Sequence, residues 1–361
     1  MHAVDLRKPD GRSLTLYGRR PILGDVRAPS PFRQPLEGAP HMRWHPLRNE
    51  WVTYAAFRQD RTFLPPPEYN PFAVTVDDAA QTEVPPGNWD VAVFDNRFPA
   101  LDHERPDAPS LCVPTRPADG RCEVVVFSQD VNGSLATLPL DHVELLIDVW
   151  GDRTRRLGGL EHIAYVLPFE NRGREVGVTL HHPHGQIYAY PVVPPVPARM
   201  QAVASDYHAA HGRGVLHDLL QAELATGERV LYRGEHAVAF VPVCARYPYE
   251  VWVAPIAPVP DFPSLAPAQA GDLARALKTV LLKYEALWQR PFPYLMAWYQ
   301  APTDGRPHPE SHLHAELYPP YRTPTKLKFL AGTEIAAGLF AMDVLPEDKA
   351  RELQQVDVTV E

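Results

Sequence analysis

Gly177-Val178-Thr179-Leu180-His181-His182-Pro183-His184-Gly185-Gln186-Ile187-Tyr188-Ala189-Tyr190 is the stretch whose reading decides the fold. Its β-branched and aromatic residues read as strand. Alternate side chains of a strand share a face, so His182, His184 and Gln186 are expected on one surface and His181 on the other. Two imidazoles and an amide on one surface can attack and bind a phosphoryl group. A lone His-x-His reads as easily as a metal site or plain surface; the longer His-Pro-His-Gly-Gln string favours chemistry.

Nucleotidyl transfer can run in two steps if the enzyme holds the nucleotide covalently between substrates. Neutral imidazole is nucleophilic near pH 7, provided an acceptor on the other ring nitrogen fixes the tautomer. A tight Pro-His-Gly segment can bring a backbone carbonyl, such as that of His182, into that position. Gln186 can donate its amide to a phosphate oxygen, and Gly185 is expected to let a phosphate approach the backbone. Gln is neutral and cannot act as acid or base on water, which favours transfer to a second substrate over hydrolysis.

Outward from this stretch, the chain reads as one pattern used twice. Val91–Phe94 and Cys122–Ser128 read as strands, His142–Leu157 as an amphipathic helix, then Ile163–Pro168 as a strand before the histidine strand. In the second half Ala237–Pro242, Tyr249–Pro255, helix Pro267–Trp288 and strand Tyr294–Trp298 lead to His312-Leu313-His314-Ala315-Glu316. The order recurs about 130 residues later, as in a duplicated unit. The expected fold class is α+β: two tandem units, mainly antiparallel sheet with packed helices. Residues 1–190 make an N-terminal catalytic unit and residues 191–361 a C-terminal one. Pro191–Pro197 reads as a stiff connection, and Ala198–Thr226 as helix broken near Gly212-Arg213-Gly214. The segment up to about His41 looks irregular, lying across the core or a neighbouring subunit, and Glu347–Gln355 reads as a short terminal helix. In the second copy Glu316 replaces Gln186 and would repel a phosphate, so the nucleophile belongs to the first.

With 361 residues and 45% hydrophobic content, the chain can fill a large core or two packed halves. Its 41 prolines are spread among apolar runs, which suits rigid loops and not disorder. A net charge of −9 without a basic run argues against nucleic acid as partner. Cys112, Cys122 and Cys244 show no paired spacing, which suits a reducing compartment. No apolar run approaches ~18 residues and no signal-like core is seen; the expected protein is soluble and cytoplasmic, with no membrane partner.

Phe169-Glu170-Asn171-Arg172-Gly173, followed by Gly177 to Gln186, resembles the active-site region of the galactose-1-phosphate uridylyltransferases of the histidine-triad superfamily. Arg43-Trp44-His45-Pro46-Leu47, Arg58-Gln59-Asp60-Arg61, Val93-Phe94-Asp95-Asn96-Arg97-Phe98-Pro99, Phe292-Pro293-Tyr294 and His312 to Pro320 resemble further family segments, in order. The resemblance implies that His184 attacks the α-phosphorus of UDP-glucose, and that galactose 1-phosphate then takes the uridylyl group. It implies that His182 supports the loop and Gln186 holds phosphate oxygens. Asn171 and Thr179 stand where the family contacts phosphate, and Phe94 and Asn96 where it surrounds uracil and ribose. For Phe94 the plainer reading is a core residue. Arg58 and Arg61 become candidates for pyrophosphate contact, in a segment shared across a homodimer interface. Lys328 and Glu334 match a segment that holds the sugar phosphate.

Zinc or iron is common in the family. The resemblance puts the cysteines of the zinc site near Asn70-Pro71-Phe72-Ala73 and one histidine at Val131, leaving His182. The second site falls on Met200 or a neighbour, Tyr299, His314 and Glu316. These sets fall short of four good ligands, and no metal or other cofactor is expected. Two alternatives stay open: a sugar-nucleotide or dinucleotide phosphorylase using the same histidine, for example on ADP-glucose, and a non-catalytic nucleotide-binding protein.

Overall fold

The chain opens with strand, not with irregular backbone. In the computed structural model, which describes residues 1–35, 38–60, 69–77, 79–104 and 107–361, β1 (His2–Arg7) and β2 (Ser13–Gly18) form an antiparallel hairpin. Asp10-Gly11 makes the turn, with Gly11 at φ +88°, the backbone such hairpins favour. The Gly- and Pro-rich run that follows had masked this signal. Leu14 and Leu16 of β2 are fully buried.

Strands β3 (His41–His45), β4 (Glu50–Tyr54) and β6 (Thr115–Pro117) form a small separate sheet. The main sheet uses β5 (Val91–Asp95), β7 (Arg121–Val126), β8 (Tyr165–Arg172) and β9 (His184–Tyr190) from the first half. From the second half it takes β10 (Val230–Arg233), β11 (Ala237–Phe240), β12 (Val251–Pro255), β13 (Tyr294–Tyr299) and β14 (His314–Tyr318). Among the described residues it has eleven strands in the order β1-β2-β5-β7-β9-β8-β13-β14-β12-β11-β10. Every neighbouring pair is antiparallel. Counted outward from the central β8–β13 pair, the sequence-order pattern is the same on both sides: β8, β9, β7, β5 and β13, β14, β12, β11. This is the geometric form of the duplication, and it makes the fold α+β with a mainly antiparallel sheet.

Helices α1 (Leu140–Gly158) and α4 (Pro267–Trp288) occupy corresponding places and pack together against the sheet. In α4, Leu273, Leu277, Val280, Leu281 and Tyr284 recur at helical spacing and are all buried; in α1 the stripe is Val143, Leu146, Val149, Trp150 and Leu157. Full burial of such a side chain contributes roughly 1.5–3 kcal/mol. Helices α2 (Pro195–His211) and α3 (Val215–Thr226) are separated where Gly212 takes φ +68°. The last three residues of the proline run form the first turn of α2 and so are not linker, since a fixed φ near −65° suits that position. Strands β15 (Tyr321–Thr323) and β16 (Lys326–Leu327) and helix α5 (Pro346–Gln354) complete the chain.

The strand carrying the histidine motif begins at His184, later than the sequence suggests. Residues 177–183 are loop, following a 3-10 turn at Arg174–Val176 flanked by Gly173 (φ +96°) and Gly177 (φ +83°). Both glycines adopt left-handed backbone that ends strand pairing. From His184 on, alternation holds: Gly185, Ile187 and Ala189 are buried, while His184, Gln186 and Tyr188 are half-buried on the other face. Gly185 is glycine for a different reason than phosphate approach. A Cβ there would lie 2.7 Å from Phe127 Cζ and 2.9 Å from the Phe169 carbonyl oxygen. Gly185→Ala is therefore expected to destabilise the fold by about 1–3 kcal/mol through overpacking, read as a lower urea midpoint.

Candidate active site

On the face opposite α1 and α4, Phe72, Val84 and Trp89 from the segment before β5 cover Leu14, Leu16, Ala92, Phe94, Val124 and Val126. Between this cover and β8–β9 lies a cavity of about 250 Å³. β9 supplies His184, Gln186 and Tyr188, and β8 supplies Phe169 and Asn171, two residues apart and so on one face.

His184 Nδ1 donates to the His182 carbonyl oxygen at 2.7 Å. The proton is thereby held on Nδ1, and Nε2 is left as the lone-pair nitrogen. The ring of Phe72 meets the imidazole edge-on at 5.0 Å. Burial pushes the His184 pKa down to about 4, opposed by the hydrogen bond to the His182 carbonyl, so the ring is neutral at pH 7. A neutral imidazole with a fixed tautomer facing a cavity is able to act as a nucleophile.

His182 does not line the cavity, although Phe72 meets its ring edge-on at 6.3 Å as it does that of His184. His182 is 2% exposed, with Nε2 donating to the Ser128 carbonyl at 2.8 Å and Nδ1 accepting from Asn70 Nδ2 at 3.0 Å. Asn70 is itself oriented by Phe72 N, which donates to its Oδ1 at 3.0 Å. Both ring nitrogens of His182 are taken by protein, and its backbone carbonyl is the group that meets the reacting imidazole. Asn70 is the residue that sequence reasoning passed over, though it stood in a segment already singled out. Asn70→Ala leaves a buried imidazole nitrogen without its donor. It is expected to lower stability by about 1–3 kcal/mol, measurable by urea unfolding, and to loosen the His184 loop.

Gln186 Oε1 accepts from Asn96 Nδ2 at 3.5 Å, which turns the Gln186 amide N–H groups away from Asn96. Asn96 Oδ1 in turn accepts from Phe98 N at 2.9 Å. Asn171 Oδ1 is buried without a hydrogen-bond partner, and Thr179 sits on the loop at the rim. Arg58, on the 3-10 turn Ala56–Asp60, donates through Nη1 to the Phe98 carbonyl (2.5 Å) and the Tyr188 hydroxyl (3.5 Å). Arg97 crosses the Phe32 ring at 4.3 Å. Among the described residues lining the cavity, one is acidic: Glu83, neutralised by Lys8 and Arg12, each at 2.8 Å. The cavity thus favours an anion.

Phe94 reaches the cavity wall, 1% exposed and packed edge-on against Phe72 at 5.7 Å, buried as the plainer core reading expects. Arg61 lies outside the described residues. Lys328 and Glu334 do not line the His184 cavity. They face each other at 3.4 Å, Lys328 also donating to the Ala341 carbonyl at 2.6 Å and Glu334 accepting from the Ala331 and Ala341 amides. Their loop folds on itself because its neighbours, Ala341 and Ala331, supply the complementary backbone groups.

The second copy reproduces the backbone arrangement. His314 Nδ1 donates to the His312 carbonyl at 2.8 Å, and His312 Nε2 to the Pro255 carbonyl at 2.8 Å. The difference is Glu316: its Oε1 meets His314 Nε2 at 3.3 Å and its Oε2 meets Arg246 at 3.0 Å. The ring nitrogen that is open on His184 faces, on His314, the Glu316 carboxylate.

The donor sets do not fit the metals associated with the resemblance. Both ring nitrogens of His182 are hydrogen-bonded to protein, Asn70 presents an N–H where a thiolate is needed, and Val131 has no donor atom. In the second copy Tyr299 pairs with the Tyr318 hydroxyl at 3.1 Å, and Glu316 is committed to His314 and Arg246. Neither set offers the four converging ligands zinc prefers.

A duplicated α+β sheet with one open and one closed copy of a paired-histidine motif defines a class of phosphate-directed histidine proteins. Residues 32–194 match the N-terminal domain, and residues 201–360 the C-terminal domain, of galactose-1-phosphate uridyl transferase. This chain belongs to the galactose-1-phosphate uridylyltransferase family. The enzyme of that name from Thermotoga maritima is 36% identical over 88% of this chain and 99% of its own length. That from Streptomyces lividans is 34% identical over 99% and 98%. A solved uridylyltransferase structure is 30% identical, with a TM-score of 0.77, over 87% of this chain and 97% of its own. An ADP-glucose phosphorylase from Arabidopsis thaliana, with bound ADP-glucose, shares the fold (TM-score 0.66, 24% identity, 89% of this chain and 100% of its own). No helix among the described residues is long and apolar enough to cross a membrane.

Proposed function

We propose that this chain is a UDP-glucose–hexose-1-phosphate uridylyltransferase of galactose metabolism that works through a covalent uridylyl group on His184. The observation that carries the reading is the His184 imidazole, neutral and held by the His182 carbonyl with Nε2 open to an anion-favouring cavity. Nε2 attacks the α-phosphorus of UDP-glucose, the bond to the bridging oxygen breaks, and glucose 1-phosphate leaves with the electron pair. The Nδ1 proton stays in place, and its bond to the His182 carbonyl stabilises the positive charge the ring acquires. A phosphate oxygen of galactose 1-phosphate then attacks the same phosphorus from the opposite side and frees neutral His184, giving UDP-galactose. Neither step needs a proton to move. Gln186, Asn171 and Thr179 are assigned to the phosphate oxygens, Asn96 to the nucleoside with Phe94 as floor, and Arg58 to the pyrophosphate together with Arg61, three residues on in the sequence.

The same reading makes residues 1–190 the catalytic unit and residues 191–361 its duplicated counterpart, in a cytoplasmic homodimer. Lys328 and Glu334 would then serve the His184 cavity of a second copy. Support comes from their segment, where Phe329, Ile335, Leu339 and Leu345 are exposed by 63–72%, an apolar surface of the kind that marks contact sites.

Isotope exchange tests the function. Labelled glucose 1-phosphate should enter UDP-glucose without any acceptor, as a two-step mechanism requires, and galactose 1-phosphate should then yield UDP-galactose. Exchange that needs galactose 1-phosphate contradicts the covalent route, and transfer to inorganic phosphate alone points to a phosphorylase. The pH profile offers a second check. Because the His184 pKa is lowered to about 4, its neutral form persists as pH falls through 6.5 and is lost only near 4. The acid limb of kcat/KM for UDP-glucose, which reports the free enzyme, should therefore fall near pH 4; a limb near the ordinary 6.5 contradicts the burial argument.

A further inference from the structure

We propose that His103, Asp119 and His162 form a site for a divalent transition-metal ion of the zinc type. Three separate connections bring them together: the loop after β5, the β6–β7 link and the α1–β8 link. His103 Nδ1 lies 2.5 Å and His162 Nε2 3.6 Å from the same carboxylate oxygen, Asp119 Oδ1. Among the described residues, this is the one group whose three ligand atoms lie within 4.8 Å of one another.

The two imidazoles stack face to face, 3.9 Å apart and 6° from parallel, an arrangement that disfavours two positive rings. His162 Nε2 is buried without a hydrogen-bond partner, and burial lowers the pKa of that ring. A buried nitrogen lone pair left unpaired beside a carboxylate is a poor arrangement for protein alone and a ready one for a cation. The backbone around the ligands is anchored. Asp102 N donates to the Ala118 carbonyl at 2.9 Å, and Leu101, Ala118 and Ile163, beside the three ligands, are buried.

Two imidazoles and one carboxylate suit zinc, which takes His and Asp ligands and can complete its shell with water; magnesium prefers an all-oxygen shell. His103 is half exposed, which leaves an entry path. None of the three residues lines the His184 cavity. An ion here would tie the loop that runs on from Asn96 to the ends of β7 and β8, a staple for the cavity wall that takes no part in group transfer.

The test uses the full-length protein, stripped with chelator, incubated with zinc chloride and desalted. One zinc per chain should be retained by elemental analysis, and the thermal midpoint should rise. His103→Ala and His162→Ala should each lose that zinc and the rise, whereas the surface variant His211→Ala should keep both; tenfold excess magnesium should displace nothing. His103 is exposed enough for its variant to fold normally. No retained zinc, or equal retention in the His103→Ala and His162→Ala proteins, overturns the proposal.

Discussion

His184→Gly should lower kcat by roughly 10⁴–10⁶-fold, the range that follows loss of a nucleophile when the rest of a site remains. The fold should survive the change. His184 is half-buried, and its side chain donates a hydrogen bond to the carbonyl of a residue two positions away. Loss of that bond costs about 1 kcal/mol. The cavity walls, built from β8, β5 and the cover carrying Phe72, do not depend on the imidazole. Nucleotide affinity should therefore change far less than turnover. Steady-state kinetics together with equilibrium binding of UDP-glucose separates the two effects. Unchanged turnover removes His184 from the chemistry. Loss of binding and turnover together, with a lowered melting temperature, means the residue acts through structure.

Gln186→Glu should lower kcat/KM by about 10²–10³-fold, the size of effect seen when a donor to a developing oxyanion is removed. The change is nearly isosteric, so packing is preserved and the effect is electrostatic. Two things go wrong at once. A carboxylate cannot donate to a phosphate oxygen, and its charge opposes that of the phosphate. It also sits two residues from His184 on the same face, where it can accept a hydrogen bond from protonated Nε2 and so raise the His184 pKa. The molecule already holds this arrangement in its second copy, where Glu316 lies 3.3 Å from His314 Nε2 and is balanced by Arg246. The variant should thus show both a lower kcat/KM and an acid limb moved above pH 4. A full-rate Gln186→Glu enzyme would show that the amide does not touch the phosphate. Gln186→Ala, which removes the donor without adding charge, should fall between the two.

The duplication was legible in the residues because apolar spacing and the His-x-His strands recur in the same order. What local pattern does not carry is which strands pair across the middle. The β8–β13 seam follows from long-range register, Asn171 opposite Leu295 and Glu170 opposite Met296. The amino-terminal hairpin was missed because one Asp-Gly turn was outweighed by the Gly and Pro residues after it. For the site, alternation along β9 correctly put His184 and Gln186 on one face. It did not show that His182 precedes the strand, in a loop that follows two glycines of positive φ, with its ring held by Asn70 and the Ser128 carbonyl. The carbonyl of His182 as tautomer-setting acceptor follows from elementary imidazole chemistry, and the hydrogen bond is present. Asn70 was invisible as a partner of His182 because 112 residues separate them. Lys328 and Glu334 show the opposite limit: a motif can be recognised while its position relative to the cavity depends on how the whole chain, or two chains, come together.

The central claim is the covalent group on His184, and the most direct measurement is intact-protein mass after incubation with UDP-glucose and no acceptor. The account expects a mass increase of one uridylyl group per chain, assigned by fragmentation to His184 and discharged by galactose 1-phosphate. No increase under conditions where the enzyme turns over, or a uridylyl group found on another residue, contradicts it.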